Sequence, residues 1–199
     1  MGRPRSFDTE AVLGAAMQLF WRRGYQAASL DELARLTGVN KPSLYAAFGD
    51  KGQLFLQVLE RYHTALLAMS QQMLSRDGSA REAIRAWLLG YLPHCSGETG
   101  ERGCLSINTS FEAAVLSPEV RASVDRFMQA TEALLVAACN RGKAQGEFPP
   151  DFDGEGVGRV ILVAQSGLLA LARGRPPEAQ TQAAMLRLLD SMLPGPGLS

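Results

Sequence analysis

Three cysteines and two histidines in 199 residues leave little material for metal or disulfide chemistry. Cys95, Cys104 and Cys139 show no CxxC spacing, and His63 with His94 cannot build a multi-histidine site. GxSxG, Walker A, GxGxxG and HExxH patterns are all missing, and with them the common nucleophile, phosphate-cradle, dinucleotide and zinc-hydrolase signatures. A dyad of Cys104 and His94 would need the loop between them to fold back. The expectation is a protein that is not an enzyme and holds neither metal nor cofactor. Net charge is absent too, because 20 Lys and Arg balance 20 Asp and Glu. Bulk attraction to a polyanion is excluded, so any nucleic-acid affinity must come from a few placed cations. No charged, apolar and small-residue leader pattern is read, which together with the cysteine usage gives a reducing cytoplasm as the expected setting. The longest apolar stretch, Val157 to Ala172, is interrupted by Arg159, Gln165 and Ser166. It falls short of the about 20 apolar residues of a bilayer span and is expected as a buried helix, with no membrane as partner.

What is present is helical periodicity, without strand alternation, repeats or low-complexity blocks. Phe7 and Asp8 open a first helix on Val12, Ala15, Ala16, Leu19 and Phe20, ended by Gly24. Asp50 and Gln53 launch a long helix reaching the early seventies. Ser79 and Glu82 cap another that ends near Tyr91 to Pro93, and residues 103 to 116 give one of mixed polarity. Ser117-Pro118-Glu119 starts a long helix closed by Gly146, and 153 to 173 and 177 to 193 supply the last two. The fold class is therefore all-α with about nine helices. Lys and Arg lead Asp and Glu by 8 to 6 up to Arg61 and trail by 12 to 14 beyond it, so the small positive excess is N-terminal.

The run from Ser29 to Phe48, SLDELARLTGVNKPSLYAAF, carries two short helix signatures joined by a tight turn. Ser29 and Glu32 form a capping box, and Leu30, Leu33 and Ala34 make one apolar face. Gly38 supplies a positive φ that stops the first helix, and Asn40 caps the next. Leu44 and Phe48 recur at i and i+4 and turn inward, which leaves Lys41, Pro42, Ser43, Tyr45 and Ala46 outward. That is the layout of a helix-turn-helix whose second helix enters a DNA major groove; an ordinary αα-hairpin is the other solution such a turn permits.

The flanks decide between the two. The GRPR arm, a helix ending LFWRRGY, the helix-turn-helix, and LYAAFGDKGQLF running into a long helix resemble the DNA-binding domain of the tetracycline-repressor (TetR) family. The resemblance covers the first 60 residues; the rest is similar in helical character and length. It implies an N-terminal helix-turn-helix domain (1–50) and a C-terminal helical ligand-binding and dimerisation domain (51–199). It further implies a homodimer on palindromic operator DNA, repression and an unidentified small-molecule effector. Ser29, Ser43, Tyr45 and Lys51 match the family's phosphate-contacting positions. Lys41 can reach a guanine edge or a phosphate, and Pro42 and Ala46 can touch a thymine methyl. Gly2-Arg3-Pro4-Arg5 resembles a minor-groove hook in which Arg3 and Arg5 enter an A·T tract; the other reading is a disordered basic terminus, and both hold if it orders only on DNA.

The effector is expected among Trp87, Tyr91, His94, Cys104, Asn108, Phe111, Glu112, Phe127, Met128 and Thr131, which mix aromatic and polar groups at helical spacings. Cys104 follows Arg102-Gly103 at a helix start, a setting that favours a thiolate, and some members of the family with Gly-Cys at a comparable place sense electrophiles or oxidants. The alternative is a small buried hydrophobe. The penultimate helix is apolar nearly all round and needs burial on two sides. One solution is a core helix wholly inside its own subunit. The other, implied by the resemblance, is a four-helix interface between two copies through Val160, Ala164 and Leu168 with Leu186 and Leu189.

Overall fold

A computed structural model describes residues 7–91, 102–173 and 179–194. Among these are α1 (Thr9–Ala27), α2 (Leu30–Thr37), α3 (Lys41–Phe48), α4 (Lys51–Leu74), α5 (Ala80–Tyr91) and α6 (Leu105–Ser110). A 3-10 turn (Ala113–Val115) follows, then α7 (Pro118–Ala144), α8 (Gly154–Ala172) and α9 (Ala179–Met192), with no strand among the described residues. The all-α expectation holds.

Local chemistry sets most helix starts. The Asp8 carboxylate accepts from the Glu10 amide at 2.9 Å, and Asn40 Oδ1 accepts from the Ser43 amide at 2.9 Å. Asp50 and Gln53 close a reciprocal box at 2.8 and 3.1 Å. At Ser29 half of the expected box forms. The hydroxyl accepts from the Glu32 amide at 3.1 Å, but the Glu32 carboxylate takes the Arg23 guanidinium at 3.3 Å, a charged donor in place of a neutral amide. α2 ends on Gly38 at φ 69°. α1 is broken at Gly24, with φ 78° and ψ 170°, and resumes for one turn; both angles belong to glycine. The single helix expected over 103 to 116 is corrected. α6 stops at Ser110 because the Phe111 amide reaches back only to the Asn108 carbonyl, at 3.3 Å, tightening the chain into the 3-10 turn.

Two apolar cores follow. The first joins Val12, Ala16, Phe20, Leu33, Leu44 and Phe48 to the first half of α4 through Leu54, Phe55, Val58 and Leu59, and extends to Leu105 and Val124. The second surrounds Trp87, fully buried, with Leu135, Ile161, Leu168 and Leu189. Each such side chain contributes about 1.5–3 kcal/mol by leaving water. α4 belongs to both cores, so the reading end and the α5–α9 end share one rigid rod.

α8 is a 19-residue helix, long and apolar enough by length and composition alone to cross a membrane, a test that the core helix of a soluble protein also passes, and 39% of its most apolar stretch is buried against its own chain. Its outward stripe differs in register from the expected interface. Val160, Val163 and Leu171 are 47%, 70% and 65% exposed, whereas Leu168 is 2% exposed. On α9, Leu188 is exposed while Leu189 is buried and Leu186 packs on the second core. Leu168 and Leu189 therefore face inward and fill their own subunit. Ala164 lies half-buried between the two faces.

Candidate nucleic-acid interface and effector cavity

The outer face of α3 is built by what the inner face needs. Leu44 and Phe48 are buried at 1% and 3% exposure, so helical geometry turns Pro42, Tyr45 and Ala46 to solvent and leaves Lys41 and Ser43 half-exposed beside them. Ser29 and Asn40 are occupied as caps through Oγ and Oδ1. Two cations near this face already have partners. Lys41 Nζ lies 3.0 Å from the Asp31 carboxylate, whose hydrogen bond and charge raise the lysine pKa. Lys51 Nζ donates to the Gln26 carbonyl at 3.0 Å and stands 4.6 Å above the Tyr25 ring. Its pKa is lowered by partial burial, against an opposing pull from Glu112. Arg3 and Arg5 lie outside the described residues.

A second site lies where α4, α5, α6, α7 and α8 converge. Its walls include Tyr91, Cys104, Phe127, Met128 and Thr131, as the sequence suggested, and Leu66, Ile107, Leu162, Gln165, Ser166 and Leu169, which it did not. The enclosed space is about 10 Å³, room for a single water. No charged side chain lines it, and Ser166 Oγ is buried without a partner. Tyr91 borders Ser70, whose hydroxyl also accepts from Trp87 Nε1 at 2.9 Å. The Tyr91 phenol is raised in pKa, chiefly by burial.

Four expected pocket residues are corrected, Glu112 among them because its carboxylate accepts from the Tyr25 and Gln26 amides of α1. Trp87 is core, held behind Ser70. Phe111 is 70% exposed on the outside, because α6 ends before it. Asn108 is buried but turns Nδ2 to the Arg102 carbonyl at 2.6 Å. His94 and Cys95 lie outside the described residues. Cys104 Sγ, 7% exposed, accepts from the Tyr62 hydroxyl at 3.5 Å. Burial first, and Cys104 second, push the Tyr62 pKa well up. Arg102 Nη1 donates to Gln18 Oε1 on α1 at 2.8 Å. Cys139 is buried with its thiol pushed up to about 12, an inert setting.

A capped helix pair with a solvent-facing second helix, carried on a rod that also walls a neutral cavity, defines a two-part regulator of the helix-turn-helix class. The chain belongs to the TetR family: residues 12–58 match "Bacterial regulatory proteins, tetR family" and residues 80–185 match "Tetracyclin repressor-like, C-terminal domain". It is a sequence-specific DNA-binding transcriptional regulator. It is 34% identical over 154 residues to the HTH-type transcriptional repressor ComR of Escherichia coli (strain K12), spanning 76% of this chain and 73% of that protein. The reduced form of E. coli NemR is similar in structure, with a TM-score of 0.85 at 25% identity, covering 95% of this chain and 98% of that one. A cysteine mutant of the TetR family transcriptional regulator CifR, complexed with 26-bp double-strand operator DNA, gives a TM-score of 0.81 at 32% identity, covering 94% and 98%.

Proposed function

We propose that this chain is a homodimeric repressor that reads a two-fold symmetric operator with α3 and releases it when a small molecule occupies the α4–α8 cavity. The observation that carries the reading is the face of α3 on which Pro42, Tyr45 and Ala46 stand free of contacts that the fold requires. Ser29, Ser43, Tyr45 and Lys51 fix register on phosphates, and Lys41, Pro42 and Ala46 meet base edges. Arg3 and Arg5 follow the minor groove, and Asn40 keeps its cap. Repression is supported by relatives such as ComR. A cytoplasmic setting, beside the DNA, goes with this role. The effector is uncharged, because the cavity walls carry no counter-charge and an ion buried there would lose its hydration uncompensated. It must widen the cavity, and that differential affinity is what shifts the two reading heads. Selection from a random duplex pool should enrich a symmetric sequence, and Tyr45→Ala, which removes a hydrogen bond to a charged phosphate, should weaken binding to it by about 1.5–3 kcal/mol. A pool in which nothing is enriched would refute the reading.

A second reading is supported by Cys104, whose sulfur lines the same cavity, and by the likeness to a protein solved in a reduced form and to another solved as a cysteine mutant. Here modification of the thiol replaces ligand occupancy. Cys104→Ser should then bind operator normally and ignore electrophile. An unchanged dose response in the serine variant returns the cavity to non-covalent ligands.

A further inference from the structure

The segment that begins at the cavity with Cys104 ends on the reading head. Glu112, two residues past the end of α6, sends its carboxylate across to the break in α1. Oε1 accepts from the Tyr25 amide at 2.9 Å and Oε2 from the Gln26 amide at 2.8 Å. These two amides follow the break at Gly24, where the helical ladder cannot satisfy them, so the carboxylate serves as the cap of the corner that leads into α2. The seat is shaped for it: a Cβ on Gly24 would lie 2.5 Å from Oε1. Gln26 is held on its other side as well, by Lys51 Nζ on its carbonyl at 3.0 Å. At its opposite end the same segment is tied to α1 through Trp21, whose Nε1 donates to the Arg102 and Gly103 carbonyls at 3.2 and 3.0 Å. Trp21 in turn rests edge-on against Tyr62, the residue that bonds Cys104.

We propose that Glu112 is the positioning residue by which the effector domain holds the reading head in its DNA-binding arrangement, its carboxylate capping the Tyr25–Gln26 corner. A shift of α6 caused by a widened cavity draws this carboxylate off the corner, frees the chain ahead of Ser29, and makes DNA binding bear the cost of ordering it. The route from the cavity rests on the effector-site reading above; the cap itself does not.

The test uses the full-length dimer and a duplex that it selects from a random pool. Glu112→Gln loses one acceptor and the charge, so the Tyr25 and Gln26 amides should exchange with solvent at least about tenfold faster, and operator Kd should rise by a similar factor. Glu112→Asp keeps the charge but is a methylene short, and should be as defective. Far-ultraviolet helicity and the urea midpoint report that the fold is intact in both. Unchanged exchange and Kd in Glu112→Gln, or wild-type behaviour of Glu112→Asp, would overturn the assignment. Ser166→Leu, which overfills the cavity, separates the two claims. Its effect on operator affinity should vanish in the Glu112→Gln background; full additivity there would overturn the route through Glu112. If Ser166→Leu leaves affinity unchanged in both backgrounds, the effector-site reading fails, while the exchange result still decides for or against the cap.

Discussion

His63 shows how one side chain records its surroundings. It sits on α4 with Nε2 2.7 Å from Ser106 Oγ of α6, its ring stacked 4.4 Å from Phe127 of α7. Burial, with Arg126 adding to it, lowers its pKa to about 4. The folded protein therefore holds it neutral while the unfolded chain takes a proton near the ordinary value of 6.5. Stability from this group is complete above pH 6.5 and is lost as pH falls towards 4, by no more than about 3 kcal/mol. His63→Gln removes that limb. Urea unfolding of the two proteins from pH 7 down to 4 should show the gap between them shrinking by that order; parallel curves would contradict the assignment.

At the scale of elements, glycine decides how closely helices meet. A Cβ on Gly158 of α8 would lie 2.9 Å from Val136 Cγ2 and 3.0 Å from the Val136 amide nitrogen on α7. Backbone cannot step aside as a side-chain tip can, so Gly158→Ala should destabilise by about 1–3 kcal/mol. Gly14 of α1 meets nothing within 4 Å, and Gly14→Ala should stabilise by about 0.5–1 kcal/mol through helix propensity. Thermal or urea unfolding checks both signs. The same contrast explains what the sequence disclosed. Ser29, Asn40 and Asp50 mark helix starts through bonds to residues three positions away and Gly38 marks a helix end by its positive φ, so the reading head was legible in a single short run. The cavity was half legible: Phe127, Met128 and Thr131 share one face of α7 at helical spacing, but Leu66, Gln165 and Ser166 meet them only because α4, α7 and α8 converge, which no local pattern encodes. The partners of Glu112 lie 86 and 87 positions away, beyond the reach of any local pattern. The all-round apolar pattern of α8 requires two buried sides without saying which faces out, and Leu168 and Leu189 face in.

At the scale of the whole molecule, the proposed dimer has a surface to form on. Val160, Val163 and Leu171 line one outward stripe of α8, with Leu188 exposed on α9, an apolar surface that a second copy would cover. Val163→Glu with Leu171→Glu would bury charges without partners in that interface. Light scattering should report monomers that keep the fold, and operator affinity should fall with them, because each half-site would then be bound alone. A double variant that stays dimeric places the interface elsewhere. The central claim, that two α3 helices read DNA together, is tested most directly by a hydroxyl-radical footprint on the selected duplex. Two protected patches on one face of the helix, their centres about 34–36 Å apart or a multiple of it, are expected. A single patch, or protection spread evenly along the DNA, would contradict the account.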